Sequence, residues 1–304
     1  MELIMRNMFQ SLGKSRSANR LAKKYGLRFG AARFVAGETI AQSIAAVRSL
    51  NQSGRVATLD HLGEFVFSEE EALESAAMCL QTLDAIAESH VTSNLSLKMT
   101  SLGLDISKEL CMQSMRRILD RAKQYGNFVR IDMEDYAHCQ VSLDIYRELR
   151  QEYDNVGIVI QAYLYRTEQD IADLGAIGAN LRLVKGAYKE SPSVAFPEKS
   201  DVDKNYVNII QKHLLGGHYT AVASHDKAII DFTKDFVKQH GISNDQFEFQ
   251  MLYGICDDLQ NQLVKEGYRV RVYVPYGVDW FGYFMRRLAE RPANVWFVLK
   301  NMFK

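Results

Sequence analysis

Eight short stretches rich in β-branched and aromatic residues, each followed by a segment with helical spacing, restrict the fold of this chain more than any other feature. They fall at residues 56–63, 94–98, 127–133, 156–161, 180–185, 220–224, 247–251 and 269–274. Between them, apolar residues recur at three- and four-residue intervals over 69–89, 108–125, a segment ending near 152, 167–175, 202–215, 227–240 and a segment ending near 266. An arginine-bearing helix around 283–290 follows the last stretch. Eight strand–helix units in about 235 residues match a closed parallel (β/α)8 barrel in number and size. The other ordering of such units, a doubly wound open sheet, binds a dinucleotide at a glycine-rich first turn. No GxGxxG and no P-loop sequence follows any of the eight stretches, so the barrel is preferred.

Residues 1–54 read differently, as an N-terminal helical arm with helices over 17–25 and 37–50 and no strand; residues 55–304 form the barrel. Arg16, Arg20, Lys23, Lys24, Arg28 and Arg33 make the arm basic, which reads as a solvated helix face. Over the whole chain 37 Lys and Arg balance 37 Asp and Glu, a composition that does not suggest a nucleic-acid partner. Cys79, Cys111, Cys139 and Cys256 are scattered, as expected of reduced thiols in a cytoplasmic protein, and the seven histidines make no HExxH-type motif, so no metal site is expected. No signal-peptide pattern opens the chain. The most apolar run, 156–165, contains Gln161 and is too short to cross a bilayer, so the reading is of a cytoplasmic protein, at most peripheral at the inner face of the membrane.

In a barrel, chemistry gathers where the strands end. Lys98, Asp132, Gln161, Arg182, Lys185, Ser224, His225, Gln250 and Tyr273 all fall at or just past a strand end. Taken singly, each has a plain explanation: an aspartate there is usually a helix cap, and Ser224-His225-Asp226 reads equally as a cap and a turn. Together they place several cations in one mouth, and an anionic ligand explains that with least cost. On the last helix Tyr283, Arg286, Arg287 and Glu290 stand at i, i+3, i+4 and i+7, on one face. A solvated face with a local ion pair is the plain reading; the functional one is a fork for a small carboxylate, which guanidinium groups bind bidentately.

The stretches Arg182-Leu-Val-Lys-Gly-Ala-Tyr188, Ser224-His225, Phe249-Gln-Met-Leu-Tyr-Gly254 and Tyr283-x-x-Arg286-Arg287-Leu-x-Glu290 occur in the order seen in proline dehydrogenases. From about residue 55 to its end the chain resembles that family, in its short monofunctional bacterial form. The resemblance implies a distorted (β/α)8 TIM-like barrel with the last helix over its mouth and FAD at the strand ends. It also implies oxidation of L-proline to Δ1-pyrroline-5-carboxylate, with electrons passed to a membrane quinone and the product used by pyrroline-5-carboxylate dehydrogenase.

The residue roles follow from the same resemblance. Lys98, Arg286 and Arg287 hold the proline carboxylate, and Tyr188, Tyr273, Tyr283 and Leu252 wall its ring. Arg182 lies near flavin N5, and Asp132 orients the lysine and tyrosine. Met133 and Gln161 contact the isoalloxazine; Lys185, Gly186, Ala187, Ser224 and His225 contact the rest of FAD. Glu64 pairs with Arg286 as a gate. Two enzyme alternatives share the architecture: a methylenetetrahydrofolate reductase, which does not account for the paired arginines, and a Schiff-base aldolase acting through Lys98 or Lys185.

Overall fold

Alternate residues of a strand point to opposite faces, and in this chain one of the two sets is apolar in all eight strands. The computed structural model describes residues 31–63 and 66–290, and the side chains of all these except residues 31 and 286–290. It contains α1 (Ile40–Gln52), β1 (Val56–His61), α2 (Glu69–Glu88), β2 (Ser93–Leu97), α3 (Lys108–Gln124), β3 (Val129–Ile131) and α4 (Tyr136–Arg150). Then come β4 (Val156–Gln161), α5 (Thr167–Gly175), β5 (Leu181–Val184), α6 (Lys199–Leu215), β6 (Thr220–Ala223) and α7 (Lys227–Gln239). The series ends with β7 (Phe247–Leu252), α8 (Asp257–Lys265), β8 (Val270–Tyr276) and α9 (Trp280–Glu290). The strands pair in chain order, all parallel, and β8 closes on β1 with Thr58 opposite Tyr273 and Leu59 opposite Val274. The fold is the expected α/β barrel.

Element starts follow local chemistry. Thr39, Ser68, Ser107, Asp135 and Asp226 each accept a backbone N–H in the first turn of a helix, and Thr39 with Gln42 forms a reciprocal capping box. Several bounds differ from expectation by a few residues, two of them for clear reasons. The third strand is short because the chain turns at once toward the Asp135 cap. The eighth runs past Pro275, which has no N–H to give but whose carbonyl accepts from Ala36 N at 2.9 Å.

The slot outside β8 and β1 is filled by a helix that precedes the barrel. Ile44, Val47 and Leu50 of α1 pack with Ala57, Leu59, Val272, Val274 and Tyr276, the outward residues of the two closing strands. Burying three such side chains contributes about 1.5–3 kcal/mol each. The helix that follows β8 is thereby released from the outer ring. Trp280, Tyr283, Phe284 and Met285 of α9 pack with Phe34, Val35, Leu62 and Ile255, and against Leu252 and Tyr273, so α9 lies over the ends of β7, β8 and β1. The expected helix over 17–25, the residues after 290 and Glu64 lie outside the described residues.

Candidate active site

On β1, β2, β3, β5, β7 and β8 the inward set of strand residues includes polar and charged groups, where barrels more often carry branched aliphatic side chains. Nearest the strand starts is Arg130, 3% exposed. Its Nη1 donates to the carbonyls of Ile158 (3.2 Å) and Asn180 (2.6 Å), its Nη2 to Asn180 Oδ1 (2.5 Å), and its guanidinium lies 5.0 Å from the Phe128 ring. A Cβ at Gly157 would stand 2.4 Å from Arg130 Nη1, so the glycine makes the room. Burial, with the Arg182 charge nearby, pulls the Arg130 pKa down to about 9, which leaves it a cation at neutral pH.

A chain of hydrogen bonds then climbs the interior. Arg271 Nε donates to Glu248 Oε1 at 2.7 Å, and Gln250 Nε2 to the same oxygen at 2.5 Å. Gln250 Oε1 accepts from Arg182 Nε at 2.6 Å, so the amide lies between a carboxylate and a guanidinium with its orientation dictated at both ends. Burial favours the neutral acid at Glu248, yet the Arg271 charge and these donors hold its pKa below the usual carboxylate range.

At the mouth Arg182 Nη1 donates to Asp132 Oδ1 (2.6 Å) and Nη2 to Ser96 Oγ (3.0 Å), while Tyr273 Oη donates to Asp132 Oδ2 (2.8 Å). Arg182 also lies 5.4 Å from the centre of the Tyr273 ring. Beside this group Lys98 Nζ meets Asp60 Oδ2 at 3.1 Å. Asp132 is therefore no helix cap; Asp135 performs that task for α4.

Five of the residues singled out from sequence thus sit together: Asp132, Arg182, Gln250 and Tyr273 in one network, with Lys98 alongside. Leu252, Tyr273 and Tyr283 share the apolar cluster under α9, whereas Tyr188 is half-buried on the loop after β5. Arg286 and Arg287 stand three and four residues past Tyr283 on α9; their side chains lie outside the described residues.

The rim after β3 to β7 holds the remaining set. Gln161 Nε2 donates to the Glu134 carbonyl at 2.8 Å, leaving its buried Oε1 without a hydrogen-bond partner among the described residues. Gly186 has φ +113°, and a Cβ there would fall 2.2 Å from the Tyr163 ring, so the chain crosses that ring bare. Lys185 Nζ reaches Asp203 (2.5 Å) and Asp226 (2.7 Å), so any phosphate it held would have to compete with two carboxylates. His225 Nε2 accepts from Leu252 N at 2.9 Å, Ser224 Oγ accepts from Asp226 N at 3.1 Å, and Met133 is buried in the main core. The unpaired amide oxygen and the bare backbone crossing fit a large, flat, polar group lying along this rim. Among the described residues no cluster of His, Cys, Asp and Glu suits a metal ion, and no helix is long and apolar enough to cross a membrane.

Comparison with known proteins decides the family. The proline dehydrogenase family model matches residues 43–300. The chain belongs to the proline dehydrogenase family. It is 55% identical over 302 residues to proline dehydrogenase 2 of Bacillus subtilis (strain 168), covering 99% of this chain and 100% of that one. It is 47% identical over 279 residues to the proline dehydrogenase of Deinococcus radiodurans, covering 90% of each. Against the bifunctional protein PutA of Escherichia coli (strain K12), identity is 27%, over 93% of this chain and 26% of that protein. Among solved structures, PutA from Bdellovibrio bacteriovorus inactivated by N-propargylglycine superposes with a TM-score of 0.80 at 27% identity, over 86% of this chain and 32% of that one. The family membership makes this chain an oxidoreductase, and it spans the full length of the Bacillus subtilis relative.

Asp60, Ser96, Glu248, Arg271 and Arg130 were not singled out from the sequence. For three of them the strands carried a faint signal, a charged or polar residue at every second position in Arg130-Ile-Asp132, Glu248-Phe-Gln250 and Arg271-Val-Tyr273, whose meaning depends on the register.

Proposed function

We propose that this protein oxidises L-proline to Δ1-pyrroline-5-carboxylate with FAD as its resident cofactor, and that a membrane quinone is the final electron acceptor. The observation that carries the reading is the cation-bearing mouth of the barrel, Lys98 beside the Arg182–Asp132–Tyr273 network, roofed by the helix that bears Arg286 and Arg287. Lys98, Arg286 and Arg287 bind the substrate carboxylate, and Leu252, Tyr273 and Tyr283 offer the apolar wall that a saturated ring needs. Tyr188 closes that wall from the loop after β5, and Glu64 serves as the gate beside Arg286.

Gln161, Met133, Lys185, Gly186, Ala187, Ser224 and His225 would hold FAD along the rim. Bound there, FAD supplies the acceptor for the hydride that leaves the ring carbon next to nitrogen. Arg182, fixed by four contacts, places a permanent cation at the floor of that space and favours any negative charge that develops above it. Asp132 holds Arg182 and Tyr273 in place and so sets the floor and one wall together. In this reading the protein works in the cytoplasm at the membrane's inner face and hands its product to pyrroline-5-carboxylate dehydrogenase.

The test is to purify the protein, record its visible spectrum and add L-proline without oxygen. Flavin bands that bleach with L-proline, and not with glycine or D-proline, support cofactor and reaction together. A colourless protein that stays inert after FAD is added removes the reading.

A further inference from the structure

The chain that leaves β5 comes back to the residue it passed on the way out. Tyr163, just beyond the end of β4, donates its backbone N–H to the Lys185 carbonyl at 2.9 Å, and its own carbonyl accepts from Phe196 N at 2.8 Å. Residues 185–196 therefore form a closed loop standing on one residue, an Ω-loop in shape. The returning arm pairs further with the β4 side, through Tyr165 N to the Val194 carbonyl at 3.0 Å and an antiparallel bridge between Leu164 and Ala195. A turn on Ser191, whose carbonyl accepts from Val194 N (3.0 Å) and Ala195 N (3.1 Å), orders the far end.

Two side-chain bonds fasten this loop to its surroundings. Glu190 Oε1 accepts from Tyr136 N at 2.8 Å. That N–H opens α4 and is one of those a helix leaves without a carbonyl partner, so both hydrogen bonding and the helix dipole favour a carboxylate there. Tyr165 Oη donates to the Pro192 carbonyl at 2.9 Å, and its ring meets Phe196 edge-on with 4.7 Å between centres. Since β4 lies between β3 and β5 in the barrel, the Glu190 bond spans the position of β4 and ties the loop after β5 to the helix after β3.

Of the residues that the proposed function gives to ligands, Lys185, Gly186, Ala187 and Tyr188 ride on this loop, Met133 lies just before α4, and Gln161 ends β4 between them. Ala187, Tyr188 and Lys189 bridge the interval from the Gly186 crossing on the Tyr163 ring to the Glu190 bond. An unfastened loop would lose conformational freedom each time it closed on a ligand; a fastened one has lost it already in folding. We propose, on the strength of that reading, that Glu190 and Tyr165 are positioning residues for the cofactor. By fastening the 185–196 loop they keep Lys185, Gly186 and Ala187 in place for FAD and set the rate at which it leaves. Both act through the loop.

The experiment loads the full chain with FAD, dilutes it, and follows release by the rise in free-flavin fluorescence. Loss of a hydrogen bond to a charged group predicts release about tenfold faster from Glu190→Ala than from wild type. Glu190→Gln keeps an oxygen for Tyr136 N and is expected to stay closer to wild type than to Glu190→Ala. Tyr165→Phe loses a neutral bond and should release FAD about threefold faster. A fastening that serves stability alone would lower the unfolding temperature of Glu190→Ala and leave release from the folded variant at the wild-type rate; that result overturns the proposal. Should Glu190→Ala not fold, Tyr165→Phe decides, and a wild-type release rate there overturns it equally. A wild-type protein that takes up no FAD overturns the flavin reading itself, and the proposal with it.

Discussion

Leu59 and Asp60 are adjacent on one strand and both almost wholly buried, yet they live in opposite chemistries. Leu59 faces outward into the packing of α1 on the two closing strands; Asp60 faces inward to Lys98. The same division runs round the barrel. Outward residues such as Ile131, Leu183, Phe249 and Val272 meet the helices, and inward ones such as Arg182, Gln250, Glu248 and Arg271 meet one another. Stability rests on the outer face. Charges taken from water cost several kcal/mol each and seldom return a net gain, so the inner face is better understood through the ligand it receives.

The division can be broken most forcefully at Arg182. Arg182→Met leaves Asp132 buried beside a phenol with no guanidinium, at a cost of about 3–5 kcal/mol in denaturant unfolding and at least about 100-fold in proline oxidation. On the outer face, Leu59→Ala should cost about 3 kcal/mol by the same unfolding measurement and leave the KM for proline unchanged. A substantial KM change there would mean that the two faces are not separable.

Lys98→Met sharpens the comparison from within the site. Loss of a charge-assisted bond predicts a KM for proline about 10–100-fold higher in steady-state assays, with a smaller change in kcat. The smallest effect belongs to a group outside the column of charge. His213 is buried with Nε2 donating to the Ala179 carbonyl (3.2 Å) and Nδ1 without a partner among the described residues; burial, helped by His218, lowers its pKa to about 4. The unfolded chain binds this proton more readily, so stability is full above about pH 6.5 and falls as pH drops toward 4. Thermal unfolding should show a loss of about 1 kcal/mol between pH 7 and 5.5, absent in His213→Gln.

The division also explains what could be read from the sequence. All eight strands were legible because their outward residues are apolar and each is followed by a helical period. Lys98 and Asp132 were legible because they lie just past strand ends, where a barrel gathers its chemistry, and Arg182 and Tyr273 because they are polar residues in largely apolar strands. Arg130, Glu248 and Arg271 escaped notice because barrel strands are expected to be apolar on both faces, and polar residues below the mouth have no reason until the register stacks them. Asp60 escaped because its partner Lys98 lies on the next strand, and only the pairing of β1 with β2 brings them together. That α1 fills the outer slot between β8 and β1 depends on ring closure, which no local pattern records.

The most direct test of the central claim is a single-turnover measurement: rapid anaerobic mixing of flavin-loaded wild type and Arg182→Met with L-proline, following the flavin bands. If the inward column of charge is the site of proline oxidation, wild type bleaches in one fast phase and the folded variant bleaches at least about 100-fold more slowly. Equal rates in the two proteins would contradict it.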